Sequence, residues 1–333
     1  MTPTSPNRVS LVTGGAGFIG SHLVEYLVRR GDHAIVIDNL ATGRRRNLGC
    51  VPERDLTFIE AGVSEAVRNL DPTKISEIYH LAAAVGVRLV VQDPIHTIDT
   101  NVLETSAILD FATAGMTPTL IASTSEVYGK STRTPFAEDD DVTYGPPTQA
   151  RWAYACSKAI DEHLALAHHR QQGLPVVIAR FFNIVGPRQV GRYGMVLPRF
   201  VSAALADKPI QVYGDGRQTR CFCDVRDVVN VLPVLLAEPR CTGRIFNVGS
   251  DQRIEIGELA ELVRTTLDST STIDHLSYDE VFGPNFDDLR HRQPDLTRLR
   301  RVTGFTPTTP LSQTIRDLAA ELGSDLPSLE STA

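Results

Sequence analysis

Gly14-Gly15-Ala16-Gly17-Phe18-Ile19-Gly20 stands directly between an apolar run, Val9-Ser10-Leu11-Val12, and an amphipathic segment from Phe18 to Arg30. Glycines in a G-x-x-G-x-x-G pattern let the chain turn tightly, let backbone amides approach a pyrophosphate, and set that anion at a helix N-terminus. The run before the turn reads as a buried strand. The segment after it reads as a helix with Gly31 as C-cap. Ala34 to Ile37 is a second apolar strand, which closes a βαβ unit of roughly thirty residues. Asp38 ends that strand, about 20 residues past the turn, where an acid accepts hydrogen bonds from an adenosine ribose. Its charge would repel a 2′-phosphate, so NAD is expected rather than NADP. Arg44-Arg45-Arg46 point the other way, unless they form only a solvated basic loop.

Leu56 to Glu60, Glu77 to Leu81, Thr119 to Ala122 and Val176 to Arg180 read as further strands with helical patterns between them. Such alternation implies an α/β fold, a Rossmann-like doubly wound parallel sheet. Trp152 to Arg170 reads as a long helix. After Gly186-Pro187 glycines, prolines and scattered arginines become frequent, although Ile210 to Val212 and Ile245 to Val248 still look like strands and Leu311 to Leu322 like a last helix. The expected division is residues 1–185, mainly a NAD-binding domain, and 186–333, mainly a smaller α/β substrate-binding lobe, with some exchange of chain between them.

The formal net charge of -7 in 333 residues gives no support for a nucleic-acid partner. Five cysteines without a C-x-x-C spacing argue against a zinc site or a disulfide framework, and no metal is expected. The polar start of the chain lacks the apolar core of a signal peptide, and no uninterrupted apolar run reaches ~18 residues. A cytoplasmic protein with no membrane partner is expected.

Tyr154 and Lys158 lie four apart on the long helix and therefore on one face. A phenol titrates near ~10, and an ammonium beside it favours the phenolate and moves it towards use as a base. Such a pair is frequent by chance, and gains meaning only beside the dinucleotide turn and the Thr124-Ser125-Glu126 stretch.

Taken together, these motifs resemble the extended short-chain dehydrogenases/reductases that act on nucleotide sugars, the NAD-dependent epimerase/dehydratase family. The resemblance runs from Val9 to about Pro307. It includes His80-Leu81-Ala82-Ala83, Asn101, Ser123 to Gly129 (STSEVYG), Arg180-Phe181-Phe182-Asn183, Gly186-Pro187-Arg188, Val212 to Gly216, Thr219-Arg220 and Asp224 to Asp227. STSEVYG, the Tyr154 segment and Arg292-Gln293-Pro294-Asp295 look most like the UDP-glucuronate branch: its decarboxylases and its 4-epimerases, among them those serving moenomycin-type antibiotic biosynthesis. One departure is Ala61-Gly62-Val63, where the family usually has an acid near the adenine. No adenine contact is assigned there.

The resemblance implies a UDP-glucuronate 4-epimerase, interconverting UDP-glucuronate and UDP-galacturonate through a 4-keto intermediate with tightly bound NAD. A UDP-glucuronate decarboxylase is the alternative, and a non-catalytic nucleotide-binding regulator a more distant one. Tyr154 would take the proton of the sugar 4-hydroxyl, with Lys158, Thr124, Ser125 and Glu126 around it. The cofactor would rest on Gly14, Gly17, Phe18, Ile19 and Gly20, on Asp38, Asn39 and Gly43, on Leu81, Ala82, Ala83 and Asn101, and on Tyr154 and Lys158. The UDP-sugar would meet Thr124, Asn183, Gln211, Tyr213, Arg220 and Arg292. A 4-epimerase must also hold the sugar carboxylate while the ring turns, for which Arg192 and Arg88 are the candidates. A homodimer is expected through the helix carrying Tyr154 and the helix after Asn101, with Ala159, Leu164, Leu166 and Ala167 facing either that interface or the protein's own core.

Overall fold

The computed structural model describes residues 8–84, 93–191, 195–282 and 290–325. β1 (Val9–Thr13) leads through the glycine turn into α1 (Phe18–Arg30), which ends at Gly31 in the left-handed region, and then β2 (His33–Ile37) and β3 (Leu56–Ile59) follow. A one-turn helix, α2 (Val63–Ala66), precedes β4 (Glu77–His80). Next come α3 (Pro94–Gly115), β5 (Thr119–Thr124), α4 (Trp152–Gln172), β6 (Val176–Phe181) and a short β7 (Ile184–Val185). Asn101 therefore lies inside α3 rather than ahead of the helix as the sequence suggested. Asp93 caps α3 by accepting from the His96 amide, with Pro94 in the first turn, so the helix begins well before Asn101.

The later chain supplies α5 (Val196–Leu205), β8 (Ile210–Tyr213), β9 (Thr219–Cys221), β10 (Cys223–Asp224), α6 (Val225–Ala237) and β11 (Arg244–Val248). After these come β12 (Arg253–Glu255), α7 (Ile256–Thr266), β13 (Ile273–Leu276), α8 (Tyr278–Phe282), α9 (Thr297–Thr303) and α10 (Leu311–Asp325). The main sheet has seven strands in the order β11-β6-β5-β4-β1-β2-β3, and every neighbouring pair is parallel. Three two-stranded pairs, β7 with β10, β8 with β13 and β9 with β12, lie outside it.

Alternation along the strands divides the core between the two faces of the sheet. Val12, Val36, Tyr79, Leu120 and Val177 pack with Leu23, Val24 and Leu27 of α1 and with Val228 and Leu232 of α6. Leu11, Ile37, Ile78, Ile121 and Ile178 pack with Ile108, Leu109 and Ala112 of α3 and Ala165 of α4. A third cluster joins α5, α7 and α10 to Ile210 and Val212 of β8. Leu164 and Leu166 pack partly against the core under α4, whereas Ile98 and Leu103 of α3 and Ile160 of α4 are exposed. Among the described residues no helix is long and apolar enough to cross a membrane.

The sheet order changes direction between β1 and β4. In parallel sheets the crevice at the carboxyl ends of the strands at such a point is where ligands bind. The glycine turn after β1, the His80–Ala84 stretch after β4, Thr124 at the end of β5 and Asn183 after β6 all lie at those carboxyl ends.

Candidate active site

The turn after β1 is packed to the limit. Gly14 has φ 69°, and a Cβ there would meet the Ala82 amide nitrogen at 2.8 Å. At Gly20 a Cβ would stand 2.2 Å from the Gly14 carbonyl oxygen, closer than any side chain tolerates. The first turn of α1 carries no acidic residue and no side-chain cap, so its unpaired amides can serve an anion. Phe18 and Ile19, half-buried, fix this end of α1 against the core.

Asp38 braces the same turn from the side. Its carboxylate accepts from the Ala16 amide at 2.9 Å and from the Leu40 amide at 2.8 Å. Burial pushes its carboxyl above the ordinary range, opposed by hydrogen bonds from the Leu40, Ala16 and Gly17 amides. A carboxylate has about four lone-pair sites, so these contacts still leave room to accept from ribose hydroxyls. Gly43 is confined by Asp38, whose oxygens would meet its Cβ at 2.8 and 2.9 Å. Asn39 is exposed and accepts from the Ala41 amide. Of the three arginines near this site, Arg45 lies over the Phe58 ring with its guanidinium carbon 4.0 Å from the centroid, and the Arg44 amide donates to the Ala16 carbonyl.

The segment after β4 is tied to this turn and to α3. The Leu81 amide donates to the Thr13 carbonyl, the Ala82 amide to the Thr13 hydroxyl, and the Ala84 amide to Asn101 Oδ1 at 2.9 Å. Ala83 is half-buried between them. Asn101 is buried, and its Nδ2 donates to Ser157 Oγ at 3.0 Å while Ser157 Oγ donates to the Tyr154 carbonyl. Asn101 thus braces α4 below Tyr154, a structural use that its expected place beside the cofactor did not anticipate.

On α4 Tyr154 and Lys158 stand four residues apart, and Lys158 has a further partner. Lys158 Nζ donates to Asp161 Oδ2 at 2.7 Å, and both side chains are almost fully buried. The Tyr154 phenol is pushed above its ordinary value, first by burial and then by Glu126; Thr124 hydrogen bonding favours the phenolate and Asp161 opposes it. The sequence has Lys158 favour the phenolate; in the structure its ammonium also has a carboxylate partner, Asp161, one helical turn on. Asp161 was missed because i,i+3 spacing is visible in sequence and burial of both charges is not.

Thr124 caps the 3-10 turn of residues 125–128 by accepting from the Glu126 amide, and it is the hydroxyl beside the phenol; Ser125 is buried. Glu126 Oε1 lies 2.6 Å from Arg292 Nη1, and Glu126 Oε2 lies 3.7 Å from Arg151 Nη2. The three side chains are 22%, 9% and 12% exposed, in the order Glu126, Arg292, Arg151, so screening by water is limited. Arg151, which precedes the Tyr154 segment, was not among the expected site residues.

Towards the smaller lobe, Asn183 adopts φ 40° and its Nδ2 donates to the Cys221 carbonyl at 3.2 Å, joining β6 to β9. Arg220 is buried, with Nη1 donating to the Thr219 carbonyl. Tyr213 lies under Arg199, whose guanidinium carbon is 3.8 Å from the ring centroid, and Arg199 Nη2 donates to the Gln211 carbonyl. The Gln211 side chain is exposed. Arg88 and Arg192 lie outside the described residues. Among the described residues no cluster of His, Cys, Asp or Glu is suited to a metal, and all five cysteines are free.

Residues 10–249 match the model of the NAD dependent epimerase/dehydratase family. The UDP-N-acetyl-alpha-D-glucosaminuronate decarboxylase of Bacillus cytotoxicus is 39% identical over 312 residues, 92% of this chain and 95% of that protein. UDP-glucuronic acid decarboxylase 4 of Arabidopsis thaliana is 38% identical over 91% of this chain and 66% of its own length. The UDP-glucose 4-epimerase of Thermus thermophilus, solved with NAD, superposes with a TM-score of 0.81 at 29% identity, covering 96% of this chain and 100% of that one. The chain belongs to the NAD dependent epimerase/dehydratase family and is an enzyme of it, with NAD as cofactor. The tight turn, the uncapped start of α1 and Asp38 fit that cofactor.

Proposed function

We propose that this NAD dependent epimerase/dehydratase is a UDP-glucuronate decarboxylase, which oxidises C4 of the sugar and releases C6 as carbon dioxide to give UDP-4-keto-pentose or UDP-xylose. Two decarboxylases of its family, from Bacillus cytotoxicus and Arabidopsis thaliana, support the substrate class and the reaction. The observation that carries the reading is the 2.6 Å contact between Glu126 and Arg292 next to Tyr154.

A 4-keto uronate is a β-keto acid. When its C5–C6 bond breaks, the electron pair enters a C4–C5 enolate and the charge collects on O4; a proton taken at C5 then gives the 4-keto-pentose, and return of the hydride to C4 with a proton to O4 would give UDP-xylose. Such an enzyme must leave the sugar carboxylate without a dedicated cation. Glu126 engages Arg292 closely and also faces Arg151. Because Glu126 already engages Arg292, that guanidinium is not wholly given to the sugar carboxylate, and the C5–C6 bond is free to break once C4 is oxidised. NAD, when bound, supplies the redox chemistry at C4. Tyr154 takes the 4-hydroxyl proton during oxidation and holds it at O4 while the enolate charge develops. Thr124 hydrogen-bonds the same oxygen and fixes its position. Asn183 and Arg220 hold the diphosphate, and Gln211 and Tyr213 meet the uridine.

A UDP-glucuronate 4-epimerase is the second reading, favoured by the likeness to the Thermus 4-epimerase. It requires a cation fixed on the carboxylate, and its candidates Arg192 and Arg88 lie outside the described residues. Purified enzyme incubated with UDP-glucuronate separates the two. Release of bicarbonate with a UDP-pentose supports the decarboxylase. UDP-galacturonate without bicarbonate overturns it in favour of the epimerase, and no product from UDP-glucuronate or its N-acetyl analogue overturns both. The proposal includes a cytoplasmic homodimer, with Ile98, Leu103 and Ile160 as its exposed apolar contacts.

A further inference from the structure

Glu126 and Arg292 come from distant parts of the chain, and one buried amide reaches the segments that carry both. Asn247, in β11, is fully buried, and its Oδ1 accepts from the Tyr128 hydroxyl at 2.7 Å. Its Nδ2 donates to the Phe136 carbonyl at 2.9 Å and to the Asp295 carbonyl at 3.2 Å. Carbonyls only accept, which fixes the amide with Nδ2 towards these two and Oδ1 towards the phenol. Burial pushes the Tyr128 phenol up to about 12, so it keeps the proton that it donates. Tyr128 closes the 3-10 turn that holds Glu126, and its ring stacks on Phe136 with centroids 4.8 Å apart. Phe136 in turn carries the segment that follows Arg292. Its amide donates to the Gln293 carbonyl at 2.8 Å, and its carbonyl accepts from the Asp295 amide at 2.8 Å. Pro294, between these two, has no amide hydrogen, and the bridge is a single rung. One rung gives little hold by itself. The Asn247 amide adds a bond to each side of it.

We propose that Asn247 is a positioning residue that sets Arg292 in register with Glu126 for the reaction at the sugar carboxylate. The proposal rests on the reading of Glu126 and Arg292 as the groups next to C6. Asn247 acts through others: through Tyr128 on the Glu126 turn, and through Phe136 and Asp295 on the residues after Arg292. Its own backbone is fixed as well, because its amide nitrogen donates to Glu138 Oε1 at 3.0 Å. A buried polar network in which every member is satisfied holds one geometry and rejects its neighbours. The 2.6 Å contact between Glu126 and Arg292 depends on such a geometry, since its two halves share no secondary-structure element.

The test is single-turnover kinetics of the NAD-loaded enzyme with UDP-glucuronate, followed as NADH absorbance and as bicarbonate. It is run at a temperature where each variant keeps its wild-type circular dichroism and NAD content. Asn247→Ala is expected to slow bicarbonate release about tenfold or more, while NADH appears at close to the wild-type rate and persists. Added to Glu126→Gln, the same change should cost no more than about twofold, because the pair that it registers is already broken. Tyr128→Phe keeps the ring and loses only the hydroxyl. It should show the same pattern in both backgrounds, and it carries the test if Asn247→Ala fails to fold. An asparagine that serves stability alone gives equal losses with and without Glu126→Gln. That result, or unchanged bicarbonate release in the variants that fold, overturns the proposal. Failure of the underlying reading is seen separately, in the wild type, as UDP-galacturonate without bicarbonate, and it takes the proposal with it.

Discussion

Arg180 clasps Glu162 with both arms of its guanidinium, Nε to Oε1 at 2.8 Å and Nη2 to Oε2 at 2.7 Å, and so ties β6 to α4 beneath the site. Ser123 of β5 donates to the same carboxylate, and Arg180 also reaches the Glu138 carbonyl and lies over the Tyr128 ring. Both side chains are less than a tenth exposed. A bidentate contact of this kind cannot lose one partner without stranding a buried charge. Glu162→Gln is expected to lower stability by about 3 kcal/mol or more, read as a drop in the urea midpoint at unchanged slope.

Tyr154→Phe removes the oxygen that takes the 4-hydroxyl proton and leaves the ring in place. Turnover of UDP-glucuronate should fall by roughly 10²–10⁴-fold, with NAD content after purification the same as in the wild type. Loss of NAD together with activity would show that Tyr154 serves the cofactor site more than the chemistry.

Gly20→Ala forces a methyl group to within 2.2 Å of the Gly14 carbonyl. The glycine turn must open, and the variant should be purified with little or no NAD, as measured by release on denaturation. Gly323→Ala, where an added Cβ meets nothing within 4 Å, is the control and should keep its cofactor.

His80 is buried and pushed down to about 3, against an ordinary value of 6.5. Between those values the unfolded chain binds a proton that the folded protein does not, so stability rises with pH across that window and is lost as the pH falls. The effect is on the order of a few kcal/mol by pH 4. Melting temperature followed from pH 7 to about 4 should decline, and His80→Gln should flatten part of that decline. Equal slopes in the two proteins would show that other groups govern the acid limb.

What could be read from the sequence was local. Gly14, Gly17, Gly20 and Asp38 declare a dinucleotide turn because their spacing is decided within one βαβ unit. Tyr154 and Lys158 declare themselves through helical spacing. The partner of Lys158 could not be read in the same way: Asp161 stands at an equally ordinary spacing, and only tertiary packing shows that both charges are dry. Glu126 and Arg292 come from opposite parts of the chain, and no periodicity links them. Asn101 and Asn183 were read as ligand contacts, whereas the structure uses their amides to join elements as well. A small polar side chain gives the same sequence signal for either use.

The placement of β11 bears on how such a protein can be cut or recombined. It comes from the later half of the chain, yet it pairs along the outer edge of β6 from Arg244–Val177 to Val248–Phe181. A fragment ending at residue 185 would leave the amides and carbonyls of β6 facing water or another copy of the fragment, an invitation to edge-to-edge aggregation. Gene exchange at that boundary would therefore swap a substrate lobe only by also swapping the strand that seals the cofactor-binding sheet, so the two regions are bound to be inherited as one unit.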